Sequence, residues 1–224
     1  MPANALETTP ELKPAPRGRG RPSRDSRSVE DTRAAIRDAS LKLFAERGFE
    51  AASMRDIAAA VGVEHSLLRY HFGDKGKLWR EAVSQMIDRL DAEMAEVWSS
   101  NQGQPLVERF KDYVRAYVRY CAAHPEHARI VVQESMRPSD RVAWIVDKGV
   151  RTQHGQLTPV LRALIRQGHL PDIPIPSLIY MLSGASQNIF MLANEVRAAH
   201  GVDYTLQPEI DRHADAVIRL LIKE

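Results

Sequence analysis

The sequence predicts an all-α protein of about nine helices, in which a small, closely punctuated amino-terminal block precedes a larger helical region. Three observations carry this prediction. Apolar residues recur at helical spacing through most of the chain, and no Val/Ile/Thr alternation is long enough to make a sheet. Glycines and prolines gather at discrete breaks near 101–105, 124–125, 137–139, 168–176 and 201–208. Two short helical stretches before residue 73 are separated by a glycine, and each is too short to be stable without a neighbour to pack on.

Taken in order, the elements have identifiable starts and stops. Ser28 with Asp31 resembles a capping box for the first helix, with an acid in place of Glu. Ile36, Ala39, Leu43 and Phe44 form its stripe, and Gly48 supplies a left-handed stop. Ser53 caps the second helix with Asp56 three residues on. Met54, Ile57, Ala58 and Val61 are its inner face, and Gly62 ends it. A third short helix runs to Phe72. Gly73 breaks it, and Asp74 caps a longer fourth helix through Leu78, Val83, Ile87 and Leu90. Two short helices joined by a glycine turn are a helix-turn-helix, and small Ala58 and Ala59 let them cross closely.

Three zones follow: residues 1–27, 28–80 and 81–224. With 44% hydrophobic and 27% charged residues in a chain of 224, the composition is that of an ordinary globular protein. One cysteine, Cys121, excludes an intrachain disulfide and fits a reducing compartment. Residues 1–16 lack the apolar run of a signal peptide, and the apolar stretch 178–193 is interrupted by Ser183, Ser186, Gln187 and Asn188, so a cytoplasmic location is expected. The net charge of +2 is unevenly spread. Residues 1–80 hold 15 Lys/Arg against 11 Asp/Glu, a surplus of +4, leaving −2 for the remainder. Between residues 13 and 27, six basic residues face Asp25 alone; with no apolar periodicity this zone reads as a disordered basic arm.

The run TRAAIRDASLKLFAERGFEAASMRDIAAAVGVEHSLLRYHFGDKGKL, residues 32–78, resembles the DNA-binding domain of the tetracycline-repressor (TetR) family of bacterial regulators. The likeness lies in LFAERGFEAAS, MRDIAAAVGV and the L-x-YHF-x-x-K-x-x-L pattern. Glu64 stands where the family usually has Ser, Leu67-Leu68-Arg69 replaces Thr-Leu-Tyr, and Gly76-Lys77 departs at the fourth helix. The resemblance implies an amino-terminal three-helix DNA-binding domain and a larger carboxy-terminal helical domain for ligand binding and dimerisation. It further implies a DNA-binding transcriptional regulator, expected to be a repressor, that binds a palindromic operator as a homodimer and is released by a small-molecule effector, with no cofactor.

On the third helix, Leu68 and Phe72 share a face and point to the core, leaving Ser66, Leu67, Arg69 and Tyr70 outward. An exposed helix with a guanidinium, a phenol and a hydroxyl suits the major groove: Arg69 to guanine or phosphate, Tyr70 to phosphate, Leu67 to a thymine methyl. His71 is read equally as a packing residue or a phosphate contact. Ser53, at a helix start with free N–H groups, and Lys75 and Lys77 are candidate backbone contacts. In the arm, Arg19-Gly20-Arg21-Pro22 resembles an AT-hook core, whose arginines enter a narrow A/T-rich minor groove.

For the carboxy-terminal region, the resemblance places the dimer seam on the last two long helices, 177–199 and 208–223. Candidates are Met181, Ala185, Ile189 and Leu192, with Ala214, Val217, Ile218 and Leu221; intrachain core is the competing use of the same stripes. An effector pocket is expected between the helices of about 105–165. Tyr113, Tyr117, Tyr120, His127, Gln133, Met136, Trp144 and His154 are its candidate lining, suiting an apolar or aromatic compound. An enzyme is the first alternative, from Cys121, His124, His127, Glu126 and Glu134, but no metal-binding or phosphate-loop pattern accompanies them. The second is a non-specific DNA-packaging protein. Deleting residues 1–27 is expected to lower both DNA affinity and the steepness of its salt dependence, measured as log affinity against log salt; an unchanged slope would show that the arm makes no phosphate contact.

Overall fold

The computed structural model describes residues 29–100 and 102–223. All regular elements among them are helical: α1 (Val29–Ala51), α2 (Met54–Val61), α3 (His65–Phe72), α4 (Lys75–Ser100), α5 (Leu106–Ala123), α6 (Pro125–Ser135), α7 (Asp140–Ile145), α8 (Arg151–Arg166), α9 (Ile175–Met191), α10 (Ala193–His200) and α11 (Gln207–Leu221). A π-helical turn, Val146–Val150, joins α7 to α8 without a break, so the eleven segments make ten rods. The expected count was about nine. The additional rod arises at Leu192, whose φ of −100° and ψ of 20° split the single helix expected over 177–199 into α9 and α10. Ser28 lies outside the described residues.

The local signals act as their chemistry requires. Gly48, at φ 77° and ψ 164°, interrupts α1. The Ser53 hydroxyl accepts from the Asp56 N–H at 3.1 Å and caps α2. Its far end is a Schellman motif: Gly62 takes φ 69°, its N–H donates to the Ala59 carbonyl, and the Val63 N–H donates to that of Ala58 at 3.0 Å. The Asp74 carboxylate accepts from the Lys77 N–H at 2.9 Å at the start of α4.

Two apolar cores result. The first joins Ile36 and Phe44 of α1, Ile57 of α2, Leu68 and Phe72 of α3, and Leu78, Trp79 and Met86 of α4. It does not close within the amino-terminal helices, because Ile130 of α6 and Ile145 of α7 complete it. The second joins Phe110, Val114 and Val118 of α5 to Leu161 and Leu164 of α8, Leu178 and Leu182 of α9, and Ala214, Val217 and Ile218 of α11. Helix α4 passes from the first core to a small third cluster, where Leu90 and Met94 meet Tyr120. Gly149, in the π turn, lies so close to α4 that a Cβ there would come within 2.5 Å of the Ile87 side chain.

These packings correct part of the expected dimer seam. Ala214, Val217 and Ile218 are buried inside the subunit, and Ala185, Ile189 and Leu221 pack half-buried against the same core. Ala214, Val217 and Ile218 are thus spent on α5 and α9 of their own chain, while Leu221 keeps part of its surface open. Met181 and Leu192 stay exposed, as do Tyr180, Leu206 and Leu220.

Between α5 and α6, the Tyr120 hydroxyl donates to the Met86 carbonyl at 3.2 Å and lies 2.9 Å from His127 Nδ1. Burial, with smaller contributions from His124 and the Arg89 guanidinium, lowers the His127 pKa from 6.5 to about 4. The unfolded chain therefore binds a proton between those values that the folded chain refuses. This stability is complete above pH 6.5 and is lost as pH falls toward 4, up to about 3 kcal/mol. Urea titrations at stepped pH should show this decline, and His127→Gln should flatten it.

Candidate nucleic-acid interface and interior cavity

Helix α3 presents one buried and one open side. Leu68 is fully buried and Phe72 nearly so, anchoring the helix on the first core. Opposite them, Ser66, Leu67, Arg69 and Tyr70 are exposed, Tyr70 at 83% of its surface. Among the described residues the Tyr70 ring contacts one other ring, that of His71, edge to face at 5.3 Å. His71 is half-buried at the margin: its carbonyl accepts from Arg33 Nη1 at 3.1 Å, and its ring meets Phe72 at 6.3 Å. Ser53, at the start of α2, has its hydroxyl committed to the α2 cap. Arg55, which the sequence reading missed, is exposed on the first turn of α2 and forms no ion pair among the described residues. The signal that picked out Ser53, a helix start with unpaired N–H groups, applied equally to Arg55 two positions on.

The two lysines differ. Lys77 is exposed, its Nζ 4.0 Å from Asp74. Lys75, expected as a phosphate contact, turns inward. Its ammonium donates to the carbonyls of Phe49 at 2.8 Å, Glu50 at 3.2 Å and Ala52 at 3.2 Å, and lies 4.4 Å from the Phe49 ring centroid. All three N–H donors are thereby used, and the charge sits where the carbonyls after Gly48 are unpaired. Lys75 holds the α1 end against α4 and is corrected from a DNA ligand to a structural cation. Arg19 and Arg21 lie outside the described residues.

An interior cavity of about 500 Å³ opens between α4, α5, α8 and α9. Its wall includes Leu90, Asp91, Met94 and Trp98 from α4, Tyr113 and Tyr117 from α5, Gln153, His154 and Leu157 from α8, and Ile179, Leu182 and Ser183 from α9. Burial pushes the Tyr113 hydroxyl up to about 12 and holds Tyr117 well above its ordinary value, so both stay protonated. Burial lowers His154, which favours the neutral imidazole. Gln153 Nε2 donates to Asp91 Oδ1 at 2.8 Å.

Of the eight residues expected to line a pocket, Tyr113, Tyr117 and His154 do so. The other five are elsewhere. Tyr120 and His127 bond to each other behind the wall. Gln133 donates from α6 to the Ala45 carbonyl of α1 at 2.8 Å. Met136 is 78% exposed at the end of α6. Trp144 packs on Trp79 with ring centroids 5.6 Å apart, in the first core. Asp91 and Trp98 were missed because α4 reads from sequence as a plain amphipathic connector; which of its turns borders a void is settled by neighbours distant in sequence.

A helix-turn-helix with an open second helix, mounted on a helical body, defines a DNA-binding transcription regulator. Residues 36–82 match the profile of bacterial regulatory proteins of the tetR family, and residues 83–224 match that of the YcdC-like protein carboxy-terminal region. The chain belongs to the TetR family and is a helix-turn-helix transcriptional regulator that binds DNA, not an enzyme. It is 23% identical over 200 residues to the transcriptional regulator RutR of Escherichia coli K12, covering 88% of this chain and 92% of that protein. A repressor of Mycobacterium tuberculosis H37Rv, Rv3405c, is 38% identical over 96 residues, 41% of this chain and 49% of that one. Among solved structures, the ketosteroid regulator KstR2 of Mycobacterium tuberculosis superposes with a TM-score of 0.67 at 21% identity, covering 88% and 98% of the two chains. The hemolysin II regulator HlyIIR gives 0.61 at 21%, covering 88% and 100%.

The two lysines separate stability from binding. Lys75→Met should destabilise the fold by about 1–3 kcal/mol in urea unfolding, because it removes the partner of three carbonyls. Lys77→Ala should leave unfolding unchanged and weaken DNA binding at most modestly, measured by fluorescence anisotropy.

Proposed function

We propose that the protein is a cytoplasmic repressor that binds a palindromic operator as a homodimer and is released by a small-molecule effector held in the interior cavity. The observation that carries the reading is the open side of α3, where Ser66, Leu67, Arg69 and Tyr70 are exposed together while Leu68 and Phe72 fix the helix to the core. A helix so presented fits a major groove, with Arg69 suited to a guanine or a phosphate. Arg55 and Lys77 flank it, and the first-turn N–H groups of α2 suit a phosphate. The arm, with Arg19 and Arg21, adds a minor-groove contact in this reading.

One such helix reads few bases, so two are needed, on half-sites about 34–36 Å apart or a multiple of that. Support for the dimer comes from the exposed apolar side chains of the last helices: Tyr180 and Met181 on α9, Leu206 before α11 and Leu220 on it. Large apolar groups left uncovered on neighbouring helices mark an interaction face. The same α9 lines the cavity with Ile179, Leu182 and Ser183, and Tyr180 meets the cavity residue His154 edge-on at 5.8 Å. A ligand can release DNA only by its difference in affinity between the operator-competent form and another. Repression is also the activity in the printed name of the Mycobacterium tuberculosis relative Rv3405c.

Titrating the protein against its own upstream DNA and a scrambled duplex tests the reading. A regulator should favour its site by about 10³-fold or more; equal affinity for both would establish the DNA-packaging alternative. Arg69→Ala should cost about 1–3 kcal/mol of that preference. Leu220→Glu should give a monomer by light scattering and abolish tight operator binding. A variant that stays dimeric would move the seam off this face.

A further inference from the structure

Resting on the reading of the cavity as an effector site, we infer that its ligand is a lipophilic cation, an aromatic or medium-chain body bearing a protonated amine or quaternary ammonium, with Asp91 as its counter-ion. Asp91 is the one charged residue in the wall among the described residues. The remainder is aromatic (Trp98, Tyr113, Tyr117), aliphatic, or neutral polar. Arg109 approaches from outside the lining, stacked 4.2 Å from the Trp98 ring centroid and donating to the Trp98 carbonyl at 2.9 Å.

Each ligand class meets this wall differently. An anion would enter a partly dry space beside a carboxylate with no lining cation to balance either charge. A purely apolar molecule would strip water from Asp91 and return nothing, since Gln153 supplies a single hydrogen bond to an acceptor with room for several. A cation restores what the carboxylate loses. The Tyr113 and Tyr117 rings favour it too, because aromatic faces attract positive charge, whereas the Trp98 ring already carries Arg109. Tyr113 and Tyr117 are stacked, with centroids 6.4 Å apart and planes 15° apart, and Trp98 meets Tyr113 edge-on at 6.3 Å. Gln153 fixes the carboxylate, so the charge-bearing end of the ligand is directed to the α4–α8 side and its body toward Leu182 and Ile179 of α9. The volume, about 500 Å³, lies within the ordinary range for small-molecule sites.

Three probes of equal chain length separate the classes: decyltrimethylammonium, decanoate and 1-decanol, each kept below its aggregation threshold. Binding is read by tryptophan fluorescence. Trp98 lines the cavity whereas Trp79 and Trp144 pack together in the first core, so Trp98→Phe identifies the reporting residue. The expected result is that the ammonium probe binds at least about tenfold more tightly than decanoate and releases operator DNA over the same concentrations. Asp91→Asn should erase the preference, weakening the ammonium about tenfold while leaving decanol unchanged or tighter; Asp91→Glu, which keeps the charge, should retain it. Decanoate binding as tightly as the ammonium, or a preference indifferent to Asp91→Asn, would overturn the inference. If decanol binds and releases DNA but the ammonium does not, the ligand class falls and the effector site stands. If no probe affects Trp98 or DNA release, the effector reading of the cavity falls, and the inference falls with it.

Discussion

Phe49 is the point on which the two halves of the molecule bear. Two cations lie over its ring, the Lys75 ammonium at 4.4 Å and the Arg141 guanidinium at 4.1 Å, one from the start of α4 and one from α7. Phe44 stacks against it with centroids 5.8 Å apart, Trp79 meets it edge to face at 6.2 Å, and Trp79 in turn meets Trp144. Arg141 also pairs with Glu134 at 2.9 Å and Glu50 at 3.4 Å. A cation over an aromatic face contributes roughly 0.5–1 kcal/mol where exposed and about 2 kcal/mol where desolvated; here two partly exposed cations share one ring. The end of α1 is thus clamped to α4, α6 and α7 together.

The consequence is that the DNA-reading bundle is not a detachable module. Its core is finished by Ile130 and Ile145 from the body, and Gln133 of α6 bonds to the Ala45 carbonyl of α1. A second polar seam runs from Asp38 of α1 through Arg89 of α4, which donates to it at 3.0 Å, to His124 at 3.2 Å. A reorientation of α3 relative to the body must therefore move α1, α4, α6 and α7 as a set or break contacts in dense packing. Helix α4 reaches furthest: Lys75 at its start serves the clamp, while Asp91 and Trp98 near its other end line the cavity. Gly149 keeps the π turn against Ile87 midway, so a side chain at 149 would push on the same helix.

The legibility of the sequence varied with the range of the interaction. Helix boundaries rest on contacts within a turn or two, and so Ser53, Gly62, Gly73 and Asp74 announced the helix-turn-helix from their chemistry alone. The open side of α3 was legible for the same reason, since Leu68 and Phe72 are four apart and set the inward face. Lys75 was misread because its partners, the carbonyls of Phe49, Glu50 and Ala52, lie more than twenty residues back. A lysine at a helix start presents the same pattern whether it faces solvent or a neighbouring helix end. The α11 stripe carried a similar ambiguity: periodicity shows that Ala214, Val217 and Ile218 share a face, not which chain covers it.

The sequence by itself determined the all-α class, the order of the helices, their breaks at glycine and proline and the amino-terminal reading motif, because capping, glycine stops and helical periodicity act locally; the break at Leu192 carries no such signal. Only the tertiary structure decided which turns of α4 and α5 border a cavity, that Trp144 and Gln133 serve the junction between the halves, and which apolar side chains of α9 and α11 remain uncovered. Those outcomes depend on which faces meet when helices far apart in sequence pack at the least cost in voids and unpaired polar groups, and no local pattern records that.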